Sequence, residues 1–406
     1  MIIKAKKLKY SKPFKDSLWS EFEEVDNLVS KLLEDIQTEL NLERFNKNKY
    51  KSNLKVLLLN MFVTYEVSSK MYLAVSRGAG DYSASRYNSN NIGYKVFIKI
   101  FDALTKLKYI EYHPGHYDSF TASGNRSRIR AKAKLIKCFK SYSISTAMIT
   151  NDKEEETIIL KKSKDESINP NRKDLVDYID NPTTNKMRSN LEEINALLDR
   201  TWIDIEISDK EHTKLNKALD KKPDKNPIDF TRRKLRRIFN NSSFEHGGRF
   251  YHGWWQEIPS AYRKYITISG KLTEEEDFSG IHIRMLYAFE DIELGSEDTY
   301  LIEGYGAKYR KQVKVALNTI INAKTKEKAI NSINRELTLP KNKTAKDLFN
   351  QLELKHPKIA KYFATGIGIE LQYLDSQIAE KVILRLARDN IVALPVHDSF
   401  IVSMSH

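Results

Sequence analysis

Residues 274–287 read Glu-Glu-Glu-Asp-Phe-Ser-Gly-Ile-His-Ile-Arg-Met-Leu-Tyr, and they determine how the second half of the chain is interpreted. Residues 265–269 alternate apolar and polar, and Gly270 follows as a turn signal, so Asp277 is expected to end the second strand of a hairpin. Beyond Gly280 the apolar residues recur at helical intervals, which predicts a helix just after the acid. A carboxylate between a strand end and a helix start suits Mg²⁺, which proteins typically hold with one or two carboxylates.

A second acid, Asp398, lies in the segment Leu394-Pro-Val-His-Asp-Ser-Phe-Ile-Val, where two apolar arms flank a polar centre. This pattern predicts strand, tight turn and strand, with the acid at the turn. Asp277 and Asp398 could then lie side by side at the edge of one sheet and hold two Mg²⁺ or Mn²⁺ ions. Two ions about 4 Å apart would stabilise the attacking and leaving oxygens of an in-line phosphoryl transfer.

The composition favours a polyanionic partner and a reducing compartment. The 406 residues suggest two or three domains, and 68 Lys+Arg against 54 Asp+Glu give a formal charge of +14. Such a charge favours nucleic acid, although general solubility is the plain alternative. Cys138 is the only cysteine, which excludes an intramolecular disulfide and a multi-cysteine zinc site and fits a cytoplasmic protein. We expect no signal peptide, because residues 1–9 lack its apolar core, and no membrane segment, because no apolar run approaches ~18 residues.

The first 140 residues predict helices followed by a basic strand. One helix is expected at about 17–42, an apolar segment follows at 54–63, and another helix is expected at about 92–108 with its N-cap at Ser89, Asn90 or Asn91. In residues 126–135 basic and apolar side chains alternate strictly, so the basic ones share one strand face. They are Arg126, Arg128, Arg130, Lys132 and Lys134.

A helix followed by a hairpin with one basic face resembles a winged helix. The resemblance covers roughly residues 54–140 and implies that the helix at 92–108 recognises DNA while the basic strand, the wing, lies along phosphates. The alternative is a solvated strand without a partner. We favour nucleic acid, because five like charges on one short strand repel each other unless an anion neutralises them. Residues 141–185 are polar and charged, which predicts a linker.

Four stretches, in order, resemble the palm and fingers of the family A nucleic-acid polymerases, that is, the bacterial DNA polymerase I group and the single-subunit phage-type RNA polymerases. The first combines Gly247-Gly-Arg-Phe-Tyr with Trp255-Gln-Glu-Ile-Pro-Ser. The second is Asp277-Phe-Ser-Gly-Ile-His-Ile-Arg, and the third is Arg310-Lys-Gln-Val-Lys-Val-Ala-Leu-Asn-Thr-Ile-Ile-Asn-Ala. The fourth is Val396-His-Asp-Ser-Phe. Each stretch alone is weak, and the shared order gives the resemblance its weight.

The resemblance implies a role for each matching residue. Asp277 and Asp398 would bind the metal ions. Arg310 and Lys314 share a helix face because they are four residues apart, and they would present two cations to a triphosphate, with Lys314 also able to protonate the leaving pyrophosphate. The residues expected to contact nucleic acid in this part of the chain are Arg249, Gln256, Gln372 and His397.

The chain departs from the family at the positions that contact the nucleotide. His282 stands where DNA polymerases have a Glu that blocks the 2′-hydroxyl, and Asn318 and Asn322 stand where aromatic residues stack on or beside the nucleotide. Stacking at each such position can contribute about 1–3 kcal/mol. Ser399 matches the phage-type RNA polymerases, whereas the length of the Asp277 stretch matches the DNA polymerases.

We therefore expect a mixed α/β chain of the α+β class. Residues 1–140 would form a helical and winged-helix region, residues 141–185 a charged linker, and residues 186–406 thumb-like helices, palm and fingers. The expected function is metal-dependent, template-directed nucleotidyl transfer from nucleoside triphosphates, with DNA as the favoured template, primer and product. The alternatives are an RNA polymerase or primase of the same fold, and a non-catalytic DNA-binding replication initiator or regulator with a relic palm.

Overall fold

The computed structural model describes residues 8, 10–118, 123–151, 154–167, 173–220, 228–278, 280–295 and 297–405. The chain is a mixed α/β protein, as expected. Its helices in these ranges are α1 Glu23–Leu40, α2 Lys47–Val67, α3 Tyr94–Lys106, α4 Ala133–Ser141, α5 Pro182–Arg200, α6 Asp209–Asp220, α7 Ser260–Arg263, α8 Ile281–Ala288, α9 Arg310–Asn322, α10 Lys326–Glu336, α11 Ala345–Lys355 and α12 Gly368–Arg388.

The strands in the described ranges are β1 Ser11–Pro13, β2 Leu18–Trp19, β3 Tyr72–Val75, β4 Ile110–His113, β5 His116–Asp118, β6 Ser123–Asn125, β7 Ser127–Ala131, β8 Thr150–Asn151, β9 Ile158–Leu160, β10 Ile203–Ile205, β11 Arg236–Asn240, β12 Ser243–Tyr251, β13 Ile266–Ile268, β14 Lys271–Asp277, β15 Ala393–Val396 and β16 Ser399–Ser403. None of the helices in the same ranges is both long and apolar enough to span a membrane.

The chain divides into two compact units, each built from separate segments. The first unit comprises Met1–Ile159, Lys164–Arg236 and His252–Thr273. The second comprises Leu160–Ser163, Arg237–Tyr251 and Glu274–His406. Strand β14 begins in the first unit and ends in the second.

The core of the first unit surrounds α2. Residues 53–64 of this helix are all buried, which is typical of a helix covered on every side. Helices α1 and α3 bury one stripe each, and α3 buries Phe97, Ile100, Phe101 and Leu104. A sheet of order β1-β3-β7-β4 packs with these helices; β1 is parallel to β3, and the other pairs are antiparallel.

Three sequence-based expectations for the first unit need correction at element ends. The first helix begins at Glu23 and not at residue 17, because Leu18 and Trp19 pair with β8 as a strand. The N-cap of α3 is Gly93, whose N–H donates to the Asn53 side chain on α2 (3.0 Å). Strand β7 ends at Ala131, and the following basic residues cap and begin α4.

Within the predicted linker, residues 141–185, lie β8 and β9. The apolar residues of β9 are buried. At the end of this region, Asn181 and Thr184 form a capping box that starts α5 at Pro182. In the first unit, β13 and the first residues of β14 form an antiparallel hairpin. That hairpin confirms the arrangement expected around Gly270.

The second unit combines a small sheet with a helical core. The end of β14, then β16 and β15, lie in that order, and β15 and β16 form the hairpin expected around Asp398. Helices α8 to α11 and the start of α12 share one apolar core that includes Leu317 and Phe349. Helix α12 packs along β12. The Arg237 side chain is fully buried in this unit; it bonds to Glu380 (2.7 Å), to the Ser376 hydroxyl (3.0 Å) and to the Gly248 carbonyl.

Candidate active site

Two acids from distant parts of the sequence come together at the edge of the second unit's sheet. Asp277 is the last residue of β14, and Asp398 lies in the two-residue turn that joins β15 to β16, the strand beside β14. The N–H of Phe278 donates to the backbone carbonyl of Asp398 at 3.2 Å, which ties the two segments together. We call Asp277 and Asp398 the carboxylate pair.

The turn that carries Asp398 requires an unusual backbone conformation. His397 has φ = +59°, in the left-handed region that two-residue hairpin turns need. Its ring is exposed and lies edge-on to Tyr251 of β12, with ring centroids 6.4 Å apart. The polar residues at this position in the sequence therefore also favour the backbone conformation of the turn.

The electrostatics of the carboxylate pair fit a divalent cation. Partial burial, and then the nearby Asp398 carboxylate, raise the pKa of Asp277, whereas Lys314 opposes the shift and Glu275 adds to it. A cation bound beside Asp277 would favour its charged form and offset these effects. In the described part of the chain no three His, Cys, Asp or Glu side chains converge as metal ligands. A pair is sufficient for Mg²⁺, because substrate phosphates and water complete its coordination.

Arg310 and Lys314 lie on one face of α9, as their spacing predicts, and both approach the ring of Tyr300. The Arg310 guanidinium is 5.1 Å from the ring centroid and the Lys314 ammonium 5.9 Å. Arg310 also donates through Nε to Asp298 Oδ2 at 2.5 Å. A cavity of ≈ 260 Å³ opens beside Arg310, lined among others by Gly280 at the start of α8. Its lining combines two cations, Arg284 and Arg310, with two acids, Glu297 and Asp298.

Arg249 and His282 meet at a buried acid, Asp375 of α12. Arg249 Nε donates to both oxygens of Asp375 at 3.0 Å, and its Nη2 makes a further bond to Oδ2. His282 Nε2 lies 2.8 Å from the same Oδ2. Burial opposes the charge of Arg249, but Asp375 outweighs burial and raises the pKa of the guanidinium, with smaller contributions from Tyr251 and Asp398. We call Arg249, His282 and Asp375 the Asp375 network. It lies near the carboxylate pair, because the charge of Asp398 acts on Arg249.

The other expected contact residues are Asn318, Asn322, Gln372 and Gln256. Asn318 is exposed on α9, and its carbonyl accepts a bond from the Asn322 side chain at 2.8 Å. Asn322 also packs against Gly368, the first residue of α12. Gln372 is half-buried on α12. Gln256 belongs to a short helical turn, Trp254–Gln256, in the first unit.

The basic strand of the first unit is less purely basic than its sequence suggests. We call Arg126, which directly precedes β7, together with Arg128 and Arg130 of the strand, the basic-face arginines. The first pairs with Asp81 (3.2 Å) and the third with Glu111 (2.6 Å), while the second donates to backbone carbonyls, including that of Leu8 (3.0 Å). Lys132 caps α4, outside the strand. Part of the positive charge is therefore neutralised within the protein.

Sequence reasoning missed Asp375, Tyr300 and Glu275. A signal for Asp375 was present, because Leu371 and Ala379 lie four residues on either side and all three are buried on one stripe of α12. An acid on such a stripe needs a buried partner. Glu275 and Tyr300 carry no comparable local signal.

Comparison with known proteins identifies no relative of this chain. No model of a protein family matches the chain, and neither curated proteins nor solved structures give a match.

Proposed function

We propose that this chain is a metal-dependent, template-directed nucleotidyltransferase of the polymerase type, with DNA as the favoured template and product. In this proposal β14, β15 and β16 belong to a palm and α9 to α11 to fingers. The observation that carries it is the carboxylate pair, formed by adjacent strand ends and electrostatically coupled to Lys314 of a basic helix face. This is the chemistry that nucleotidyl transfer needs.

The reaction would proceed as an in-line displacement. Asp277 and Asp398 would hold two Mg²⁺ or Mn²⁺ ions, which would stabilise the attacking and leaving oxygens. Arg310 would orient the triphosphate beside Tyr300. The 3′-hydroxyl oxygen of the primer would form a bond to the α-phosphorus as the bond to pyrophosphate breaks. The hydroxyl proton would pass to solvent, and Lys314 would give a proton to, or neutralise, the leaving pyrophosphate.

The first unit would bind the nucleic acid as a winged helix. Support comes from the order of its elements, in which α3 is followed directly by β4 and its long hairpin with β7. Lys95 and Lys99 are exposed on α3 and add positive charge to the helix that would enter the groove. The basic-face arginines would lie along phosphates after exchanging their internal partners for them.

A primer-extension assay tests the proposal. Deoxyribonucleotides and ribonucleotides are offered separately on DNA and RNA templates with Mg²⁺ or Mn²⁺, to the natural sequence and to Asp277→Ala and Asp398→Ala. Glu274→Ala is a matched control, since Glu274 is an exposed acid on the opposite face of β14. We expect extension that each aspartate variant abolishes and the control keeps. DNA binding without any extension would favour a replication initiator or regulator.

A further inference from the structure

Glu275 lies on the same face of β14 as Asp277. Successive side chains of a strand point to opposite faces, so residues 273, 275 and 277 share one face and residues 274 and 276 the other. On the shared face Thr273 is buried, and its hydroxyl donates to the Ile266 carbonyl at 2.7 Å. Glu275 therefore lies on the face of β14 that carries Asp277, close enough for its charge to act on that acid.

Ser399 fixes the carboxylate of Glu275 from the neighbouring strand. Its hydroxyl lies 2.6 Å from Glu275 Oε1 and 3.0 Å from the Val396 carbonyl. A hydroxyl has one hydrogen to donate, and a carboxylate is the stronger acceptor, so the bond to Glu275 should prevail. Ser399 is only 5 % exposed and directly follows Asp398. Glu275 is thus connected to the turn that carries the second acid of the pair.

We propose that Glu275, positioned by Ser399, is a third carboxylate of the divalent-cation site and acts on water bound to the ion. The inference rests on the proposed function, which requires an ion at the carboxylate pair. Glu275 does not converge with Asp277 and Asp398 as a direct ligand in the described structure. Mg²⁺ and Mn²⁺ keep several of their waters, however, and a carboxylate that accepts bonds from such waters strengthens binding without touching the ion.

Binding of Mn²⁺ alone, measured by titration calorimetry or electron paramagnetic resonance, tests this role without any assay of activity. Glu275→Gln keeps the shape of the side chain and removes its charge. We expect this change to weaken Mn²⁺ binding by about tenfold, the usual effect of losing an outer partner of a metal site. Ser399→Ala should weaken binding in the same direction by a smaller factor, because Glu275 keeps its charge and loses only its position.

Glu274→Gln is the matched control, because it removes the same charge from the opposite face of the same strand. Circular dichroism checks that each variant is folded. If Glu275→Gln weakens binding no more than Glu274→Gln does, Glu275 has no special role and the inference is overturned. Asp277→Asn separates this failure from failure of the proposed site. If Mn²⁺ binding is absent or survives Asp277→Asn, the ion site itself is wrong and both proposals fall.

Discussion

Replacing Asp375 by Ala should destabilise the second unit by about 3 kcal/mol. The Asp375 side chain is 3 % exposed, and it accepts hydrogen bonds from Arg249 and His282. Removing one member of a buried ion pair typically costs ~3–5 kcal/mol, because the remaining charge stays buried without a partner. Arg249 is 16 % exposed and can be partly hydrated, which places the expected loss at the lower end of that range. A loss of this size changes the unfolding equilibrium roughly a hundredfold.

Urea denaturation can isolate the second unit spectroscopically. The four tryptophans, Trp19, Trp202, Trp254 and Trp255, all belong to the first unit. Tryptophan fluorescence therefore follows the first unit, whereas circular dichroism follows both, and the difference between the two curves reports on the second. Asp375→Ala should move the circular dichroism transition to lower urea and leave the fluorescence transition in place.

Asp389→Ala is the matched control for this experiment. Asp389 caps the end of the same helix and pairs with Arg385 on the surface, 3.4 Å away. An exposed pair of this kind contributes at most about 0.5 kcal/mol. Equal urea midpoints for the Asp375 and Asp389 variants would refute the prediction that the Asp375 network stabilises the second unit. Replacing Arg249 by Met together with Asp375 by Leu should recover much of the loss, because no unpaired charge then remains buried.

Three further predictions concern the site and the first unit. At pH 7 without divalent cations, Asp277→Asn should raise the urea midpoint of the second unit, because burial and the Asp398 carboxylate raise the pKa of Asp277 and make its charged form unfavourable. The gain in stability from Asp277→Asn should be absent below pH ~3.9, the pKa of the unfolded side chain, and should grow as the pH rises through the raised pKa. Equal urea midpoints at pH 7 would contradict this prediction. Gly368→Ala should destabilise the second unit, because the new methyl would lie 2.2 Å from Asn322 Oδ1; Asn322→Ala in the same chain should restore part of the stability, and no recovery would exclude this contact as the cause. Changing the basic-face arginines together to Gln should weaken DNA binding and make it less dependent on salt. The slope of log affinity against log salt should change by less than the ~2.7 expected for three unpaired cations. Unchanged affinity across a salt series would refute the proposal that these arginines contact phosphates.

The sequence predicted the two hairpins that carry the carboxylate pair because their signals are local. Alternating side chains define each strand, and Gly270 and the polar residues around His397 define the turns. The same kind of signal failed at the end of β7. Ala131 and Leu135 fit a strand because they are an even number of residues apart, and they fit a helix equally well because they are four apart. Periodicity alone could not show that α4 begins between them.

Long-range partners could not be predicted from the sequence. The N–H of Gly93 is satisfied by Asn53 on another helix, so the N-cap of α3 has no local signature. The charges that meet the basic-face arginines come from other segments of the first unit. Asp375 could be identified as an acid on an apolar stripe, but its partners lie on β12 and α8. Such pairs depend on the packing of whole elements, which one sequence does not reveal.

The second unit's construction from separate segments has a consequence for biosynthesis. Every segment of the first unit has been made by residue 273, whereas β16, which lies between β14 and β15, follows all the other described elements. Because domains generally fold as they emerge from the ribosome, we infer that the first unit folds during translation and the carboxylate pair forms last. Protease resistance of chains stalled near residue 330 tests this order, and a first unit still degraded at that length would contradict it. Translation would then complete the unit proposed to bind nucleic acid before it completes the proposed catalytic centre.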